Sequence, residues 1–203
     1  MCRVITIAYI LESLPTNFPE HEAFAFDNMF QRAGMQSKVF TPHNRRDLAN
    51  TFSEIEKHLG PLDRKAHVLP FFHLSMHGDE RGIQIASGEI VLWHELRDMI
   101  RTVAENTGRL NKSGDALAHI TMSSCKGGHG IQMMLLDDSK KPAMSLVGPE
   151  IEVSPKQTLR AYSAFYYAIL MRSASVQVAV EFMNQYAGLG DVYRLHLFDM
   201  TLK

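Results

Sequence analysis

The chain lacks the usual features of membrane, secreted and nucleic-acid-binding proteins. It has only two cysteines, so no disulfide framework is expected. Its longest apolar stretch, 161–171, is far shorter than the roughly 20 residues that span a bilayer. Lysine and arginine together number 21 against 22 acidic residues, which leaves no overall field to attract nucleic acid or an anionic membrane. We therefore expect neither a nucleic acid nor a membrane as partner.

The beginning of the sequence also lacks the pattern of a secretory leader. Residues 1–11 have strand character, and no small-residue cleavage site follows their apolar core. With the low cysteine content, this predicts a reducing, cytoplasmic location. At 203 residues and 45% hydrophobic composition, the chain can bury a substantial core but is short for two domains, so one domain over 1–203 is expected.

Strand and helix patterns alternate in the first third of the chain. The continuous apolar run 4–11 is typical of a strand buried on both faces, and helical spacing follows over 20–33. A short strand at 37–40 and an amphipathic helix over 45–59 lead to the apolar run 70–78. This order predicts an α/β fold, a three-layer α/β/α sandwich with a mostly parallel sheet of about six strands.

The pattern continues after a small predicted hairpin, in which 82–86 and 89–92 flank Ser87-Gly88. The elements expected beyond it are a helix over 93–104, a strand ending near 125, a short helix over 131–138, a strand over 144–148, helices over 155–171 and 174–187, and an edge strand over 193–198.

Two of the predicted strands end at reactive side chains followed by glycine. PFFHLSMHG (70–78) ends at His77-Gly78, and LAHITMSSCKGG (117–128) ends with Cys125 and two glycines. Parallel strands that end side by side would bring imidazole and thiol together at the sheet edge where α/β proteins bind ligands. A cysteine nucleophile with an adjacent base needs this arrangement. The separation of 48 positions (125 minus 77) is close to the roughly 50 of caspase-like chains.

The neighbouring residues favour an activated thiol. His77, a helix beginning near Gly130 and the charge of Lys126 would each favour the thiolate of Cys125. Acyl transfer also requires donors for the developing oxyanion, and small residues let backbone amides approach it. The backbone amides of Gly78 and Cys125 are the predicted donors.

At these residues the chain resembles the caspase-like cysteine peptidases, and more closely their CHAT branch, which includes separase-like members. The resemblance extends from about 67 to 187 and rests on ordered motifs: HLSMHG (73–78), the hairpin over 82–92, ITMSSCKGG (120–128), LVG (146–148), AFYYAIL (164–170) and SVQVA (175–179). The family implies a histidine and cysteine dyad that cleaves peptide bonds through a thioester, with no cofactor. It gives His77 the role of base and acid, and Cys125 that of nucleophile.

The sequence departs from the family two residues before the cysteine. Caspases have glutamine there and metacaspases aspartate, whereas this chain has Ser123. In those families the position helps to line the pocket for the residue before the scissile bond, so no preference is carried over. Glu12, Asp79 and Glu80 are candidates for a pocket that accepts arginine or lysine, although solvated loop carboxylates are common.

Other interpretations of the same residues remain open. His73, His77, Cys125 and His129 could bind zinc, but their spacing matches no compact zinc motif and the site would consume the proposed nucleophile. The glycines after Cys125 lack the Gly-Lys-Ser/Thr ending of a P-loop. The turn DDSKK (137–141) is either a processing site, as in some caspases, or an ordinary solvated loop.

Two functional hypotheses follow. The first is a cysteine endopeptidase that acts on a protein or peptide substrate and depends on a separate activating or recruiting protein, because no recruitment domain is expected in the chain. The second is a catalytically silent caspase-like module that serves as scaffold or binding partner, since a fold alone does not establish activity.

Overall fold

A computed structural model of the chain describes residues 4–18, 21–62, 67–135, 140–188 and 190–197. The described strands are β1 (Val4–Ser13), β2 (Gln36–Phe40), β3 (His67–Gly78), β4 (Gly82–Gln84), β5 (Ile90–Leu92), β6 (His119–Ser123), β7 (Ser145–Pro149) and β8 (Tyr193–Leu197). The helices are α1 (Ala23–Arg32), α2 (Arg45–Leu59), α3 (Trp93–Thr107), α4 (Gln132–Leu135), α5 (Pro155–Arg172) and α6 (Val176–Ala187), with a 3₁₀ helix over Gly127–Ile131.

The sheet has the predicted mostly parallel character. Six strands lie in the order β2-β1-β3-β6-β7-β8, and the first five of these pair in parallel. β8 pairs antiparallel with β7 at one edge, as expected for an added final strand. The predicted hairpin is formed by β4 and β5 and extends from the end of β3. The expected α/β fold is therefore confirmed.

Helices cover both faces of this sheet. One core lies between the sheet and the helices α2 and α3, and it includes Tyr9, Phe72 and Ile100. The second core lies on the opposite face, where α1, α5 and α6 pack through residues such as Phe26 and Phe165. The central strand β1 contributes apolar side chains to both cores, Ile7 and Tyr9 to the first and Ala8 and Ile10 to the second, which explains its continuous hydrophobic run in the sequence. The result is the predicted three-layer sandwich.

Some element boundaries differ from the sequence prediction. The helix expected over 20–33 is α1, which begins at Ala23 because the Glu12 carboxylate accepts hydrogen bonds from the amides of Glu22 and Ala23 at its start. The helix expected over 131–138 is described only as the four-residue α4, preceded by a 3₁₀ turn that begins at Gly127.

Parts of several predictions fall on residues outside the described ranges. They are Cys2, residue 20 at the start of the helix expected over 20–33, residues 136–138 of the helix expected over 131–138, residues 137–139 of the charged turn, and Phe198 at the end of the last predicted strand. Within the described ranges, no helix combines the length and the apolar character needed to cross a membrane.

Candidate active site

The register of β3 and β6 places the two predicted catalytic residues at the same edge of the sheet. Ser75 pairs with Ser123, an offset of 48 positions (123 minus 75). His77 and Cys125 are separated by the same 48 positions and each lies two residues farther along the chain. The spacing seen in the sequence is thus the register of two neighbouring parallel strands, extended to the carboxyl ends where such sheets bind ligands.

His77 and Cys125 line one cavity of about 160 Å³. Ser123 and Ser124 contribute to its wall from the end of β6 and Ser75 from β3. The remaining lining residues come from β3 (Met76), from the segment between β1 and α1 (Leu14, Phe18 and Glu22) and from the segment around the start of α5 (Val153, Pro155 and Thr158). At roughly 30 Å³ per water molecule, the volume equals about five waters, a space suited to one extended side chain.

Cys125 occupies a tight turn between β6 and the 3₁₀ helix. Lys126 has a left-handed backbone conformation with φ of 51°, which turns the chain sharply after the cysteine. A Cβ atom on Gly127 would lie 2.6 Å from Cβ of Met122, so only glycine lets the turn pack against β6. The half-buried thiol donates a hydrogen bond to the Val153 carbonyl, with Sγ 3.4 Å from the oxygen.

His77 is held by packing at the end of β3. The ring of Phe18 contacts it edge to face, with centroids 5.5 Å apart. Within the described part of the chain, no hydrogen bond joins His77 to Cys125; the thiol is directed to Val153 instead. The missing bond does not argue against a thiol and imidazole pair, because hydrogen bonds between such groups in enzymes are often formed only when substrate binds.

The backbone after His77 and Cys125 is closely packed. A Cβ atom on Gly78 would lie 2.6 Å from the carbonyl oxygen of Cys125 and 3.0 Å from Oγ of Ser124. The end of β3, which carries the imidazole, and the turn after β6, which carries the thiol, are therefore in direct contact. The backbone amides of the two residues after Cys125 have hydrogen-bond partners within the chain. The Lys126 N–H donates to the Ile151 carbonyl and the Gly127 N–H donates to the Ser124 carbonyl, each at 3.0 Å. The amides of Gly78 and Cys125 remain the predicted oxyanion donors.

A buried polar network lies behind the cavity. His73, which is fully buried in the interior of β3, places Nε2 3.0 Å from Oε1 of Glu22. On the other side of the ring, Nδ1 lies 2.6 Å from the Tyr166 hydroxyl and 3.0 Å from Oγ1 of Thr121. Burial raises the pKa of Tyr166 well above its usual value, so its hydroxyl remains a donor. Thr121 can donate to the Phe72 carbonyl.

These contacts connect Glu22 to the interior of the sheet. Because a carboxylate only accepts hydrogen bonds, Nε2 of His73 donates to Glu22. Nδ1 faces the hydroxyls of Tyr166 and Thr121, which lie 2.9 Å from each other. Glu22 is the only acidic residue among the described residues that line the cavity.

The acidic residues predicted for a substrate pocket lie elsewhere. Glu12 is buried, accepts the first amides of α1 and pairs with His21, whose Nδ1 lies 2.7 Å from Oε2. Arg81 bonds the Asp79 carboxylate and lowers its pKa. Glu80 pairs with Lys126 at 3.1 Å. None of the three is among the described residues that line the cavity, whereas Ser123 is.

Some residues of this site were not predicted from the sequence. The sequence pattern assigns Glu22 to the helix expected over 20–33 and gives it no role in the site. The first residues of a helix that follows a parallel strand lie near that strand's carboxyl end, and this signal points to Glu22 as a site residue. Val153 and Thr158 come from a distant segment and carry no local signal. His73, considered as a zinc ligand, is bonded to Glu22, Thr121 and Tyr166. Across the described ranges, no group of three or more His, Cys, Asp or Glu residues is arranged to hold a metal ion.

No protein-family model matches this chain, and no curated protein sequence matches it. The resemblance to caspase-like peptidases therefore depends on the residues and their order.

Proposed function

We propose that the protein is a cysteine endopeptidase of the caspase-like, CHAT type, with Cys125 as nucleophile and His77 as general base and acid. The observation that carries the proposal is the cavity shared by both side chains at the carboxyl ends of β3 and β6. A thiol and an imidazole that line one cavity, with closely packed glycines beside them, support acyl transfer as the reaction type.

In the proposed reaction, His77 accepts the proton of the Cys125 thiol as sulfur attacks the carbonyl carbon of the scissile peptide. The C–S bond forms and the oxyanion is bound by the amides of Gly78 and Cys125. When the C–N bond breaks, His77 returns the proton to the leaving amine. A water molecule, deprotonated by His77, then hydrolyses the thioester and releases the carboxylic acid and the free thiol.

Glu22 favours a substrate with arginine or lysine before the scissile bond. Its side chain is only 8% exposed, and among the described residues its one side-chain partner is His73, which donates to it. A carboxylate in so small a cavity is stabilised by a cation that enters it, because burial removes water that would otherwise solvate the charge. The cavity volume admits one side chain of that length.

The test is cleavage of a diverse peptide mixture, with products identified by mass spectrometry, by wild type, Cys125→Ala and Cys2→Ala. The last variant removes the only other cysteine and is the matched control. The reactions are repeated with calcium and with cell extract, because a recruiting or activating protein is part of the proposal. Products formed by wild type and Cys2→Ala but not by Cys125→Ala support the peptidase. Identical product sets from all three proteins, under every condition, contradict it.

One observation favours the second candidate, a catalytically silent binding module. The Cys125 thiol is bonded to a backbone carbonyl, and no hydrogen bond to His77 is described. Alkylation by iodoacetamide distinguishes the two functions. The peptidase requires that Cys125 reacts faster than a model thiol and that His77→Ala slows the reaction. A rate equal to the model thiol, unchanged by His77→Ala, supports the silent module.

A further inference from the structure

An open groove on the outer surface of α5 and α6 lies away from the active site. It has a volume of about 910 Å³ and is bordered by Tyr167, Phe182 and Tyr186, with Ser163 and Ala164 among its smaller lining residues. Tyr167 is 51% exposed and Tyr186 is 61% exposed, values that are high for large aromatic side chains. The surface is therefore an exposed apolar patch of the kind that marks a binding site.

Helical spacing explains how the groove forms. On α6, Val178, Phe182 and Tyr186 follow one another at four-residue intervals and so lie on one face. The rings of Phe182 and Tyr186 are stacked, with centroids 6.1 Å apart. The buried side of α6, which includes Val180 and Met183, packs into the core against α5, and Phe182 is partly buried beside it. The helix thus carries apolar residues beyond its buried side, and Val178 and Tyr186 remain exposed in the described chain.

The charge of the groove is of one sign. Arg160 and Arg172 line it, and neither aspartate nor glutamate is among its described lining residues. The two arginines are 12 positions apart on α5, which corresponds to about 18 Å along a helix at 1.5 Å per residue. Arg172 lies over the ring of Phe182, with Cζ 5.6 Å from the centroid. The groove therefore has aromatic sides and a guanidinium toward each end, in a chain of net charge −1.

We propose that this groove binds an amphipathic helix of a partner protein, about three turns long, with apolar anchors in its middle and a carboxylate near each end. An elongated groove with small lining residues admits the convex surface of a helix. The separation of the arginines matches acidic residues about three turns apart on such a helix. A second copy of this chain fits less well, because a two-fold contact through the groove would place like-charged arginines together without carboxylates among the lining residues.

The test begins with selection of peptides from a phage-displayed library of random 16-residue sequences. Immobilised wild type is the target, and the double variant Arg160→Glu, Tyr186→Asp is used to remove peptides that bind elsewhere. We expect enrichment of amphipathic sequences with aspartate or glutamate at both ends. Absence of enrichment, or enrichment of neutral or basic sequences, overturns the proposal.

The most enriched peptide is then synthesised with a fluorescein label and titrated by fluorescence polarisation. Arg160→Glu is expected to weaken binding at least 10-fold, and added salt to weaken binding to wild type. The matched controls are Arg46→Glu, an exposed arginine on α2, and Leu135→Asp, an exposed leucine at the end of α4. Equal affinity for wild type and Arg160→Glu overturns the proposal, as does equal loss in Arg46→Glu. Circular dichroism confirms that the surface variants remain folded.

Two further measurements test whether a second copy of this chain or a lipid surface occupies the groove instead. Sedimentation equilibrium of wild type and Tyr186→Asp is expected to show the same oligomeric state, and a wild-type dimer that Tyr186→Asp dissociates assigns the groove to a second copy instead. Co-sedimentation with phosphatidylserine vesicles is expected to show no dependence on Arg160 and Tyr186. Vesicle binding that Arg160→Glu or Tyr186→Asp abolishes assigns the groove to a lipid surface and overturns the proposal.

Discussion

Nε2 of His73 lies 3.0 Å from Oε1 of Glu22, and this contact holds a carboxylate beside the cavity shared by His77 and Cys125. The imidazole is in turn fixed by the Tyr166 hydroxyl, 2.6 Å from Nδ1. β3, the start of α1 and α5 therefore meet through three polar side chains in an otherwise apolar core. Because a buried hydrogen-bonded network has few alternative geometries, the carboxylate is fixed relative to His77 and Cys125.

The first prediction concerns substrate preference. Glu22→Gln keeps the shape of the side chain and an oxygen for His73, but removes the negative charge. A hydrogen bond to a charged group contributes about 1.5–3 kcal/mol, so kcat/KM for peptides with arginine before the scissile bond is expected to fall about 10- to 100-fold. Peptides with norleucine at that position should be affected much less. Initial rates with the two peptides measure the difference.

Glu54→Gln is the control for Glu22→Gln, because Glu54 is an exposed carboxylate on α2. It should leave both rates unchanged. If wild type cleaves peptides but prefers norleucine to arginine, the endopeptidase assignment stands and the role given to Glu22 is wrong.

The second prediction tests whether the Tyr166 hydroxyl positions Glu22 in addition to stabilising the fold. Tyr166→Phe removes the hydroxyl that is hydrogen-bonded to Nδ1 of His73, whereas Tyr162→Phe removes a hydroxyl that donates to the backbone carbonyls of Met122 and Val147. Both tyrosines are buried on α5, so each variant should lose about 1–3 kcal/mol of unfolding free energy. Only Tyr166→Phe should also reduce the ratio of kcat/KM for arginine over norleucine peptides. Equal ratios in the two variants would show that the network does not position Glu22.

The sequence contained enough information to place His77 and Cys125 but not to place Glu22. A buried parallel strand can be recognised from its local run of apolar residues. When two such strands are neighbours, their carboxyl ends lie side by side. The 48-residue separation of His77 and Cys125 therefore equals the offset between paired residues of β3 and β6. The position of Glu22 depends on hydrogen bonds from the start of α1 to Glu12, 10 positions earlier. Sequence periodicity does not report such contacts.

The other residues of the network are still farther apart in the chain. His73 and Tyr166 are separated by 93 positions, and their contact follows from how α5 packs across the sheet. The family resemblance identified the aromatic segment 164–170 without assigning its hydroxyl a partner. Asp79 and Glu80 are predicted pocket residues because they follow His77 closely in the sequence. In the structure Asp79 pairs with Arg81, and Glu80 pairs with Lys126.

A third prediction uses the close approach of the two catalytic loops. In Gly78→Ala the new methyl group would lie 2.6 Å from the Cys125 carbonyl oxygen, so the backbone of one loop must shift. Displacements near 1 Å at a catalytic group lower rates about 100-fold, and cleavage should fall at least that much. Gly60→Ala is the control, because its methyl group would approach the Glu56 carbonyl oxygen to 3.3 Å, a contact that a shift of a few tenths of an ångström relieves, at a position away from the cavity. Unchanged cleavage by Gly78→Ala would show that the proposed oxyanion geometry is not required.

The last prediction concerns stability at acidic pH. His119, at the start of β6, is mostly buried, and its Nδ1 lies 2.6 Å from Oγ of Ser145. Burial lowers the pKa of its imidazole below the usual 6.5. Above 6.5 neither the folded nor the unfolded chain protonates this ring. As the pH falls below 6.5, the unfolded chain binds a proton that the folded chain does not, so the unfolding free energy decreases until the pH reaches the folded pKa.

Replacement of His119 should therefore reduce the loss of stability that accompanies a fall in pH. The fall in Tm between about pH 7.5 and about pH 5.5 is expected to be smaller in His119→Gln than in wild type, even if the variant is less stable at the higher pH. His43→Gln, at an exposed position before α2, should keep the wild-type slope. Scanning calorimetry at several pH values measures the slope of Tm against pH for wild type, His119→Gln and His43→Gln. Parallel curves for wild type and His119→Gln would mean that this imidazole titrates alike in the folded and unfolded chains, and that its burial beside Ser145 does not set the acid stability of β6.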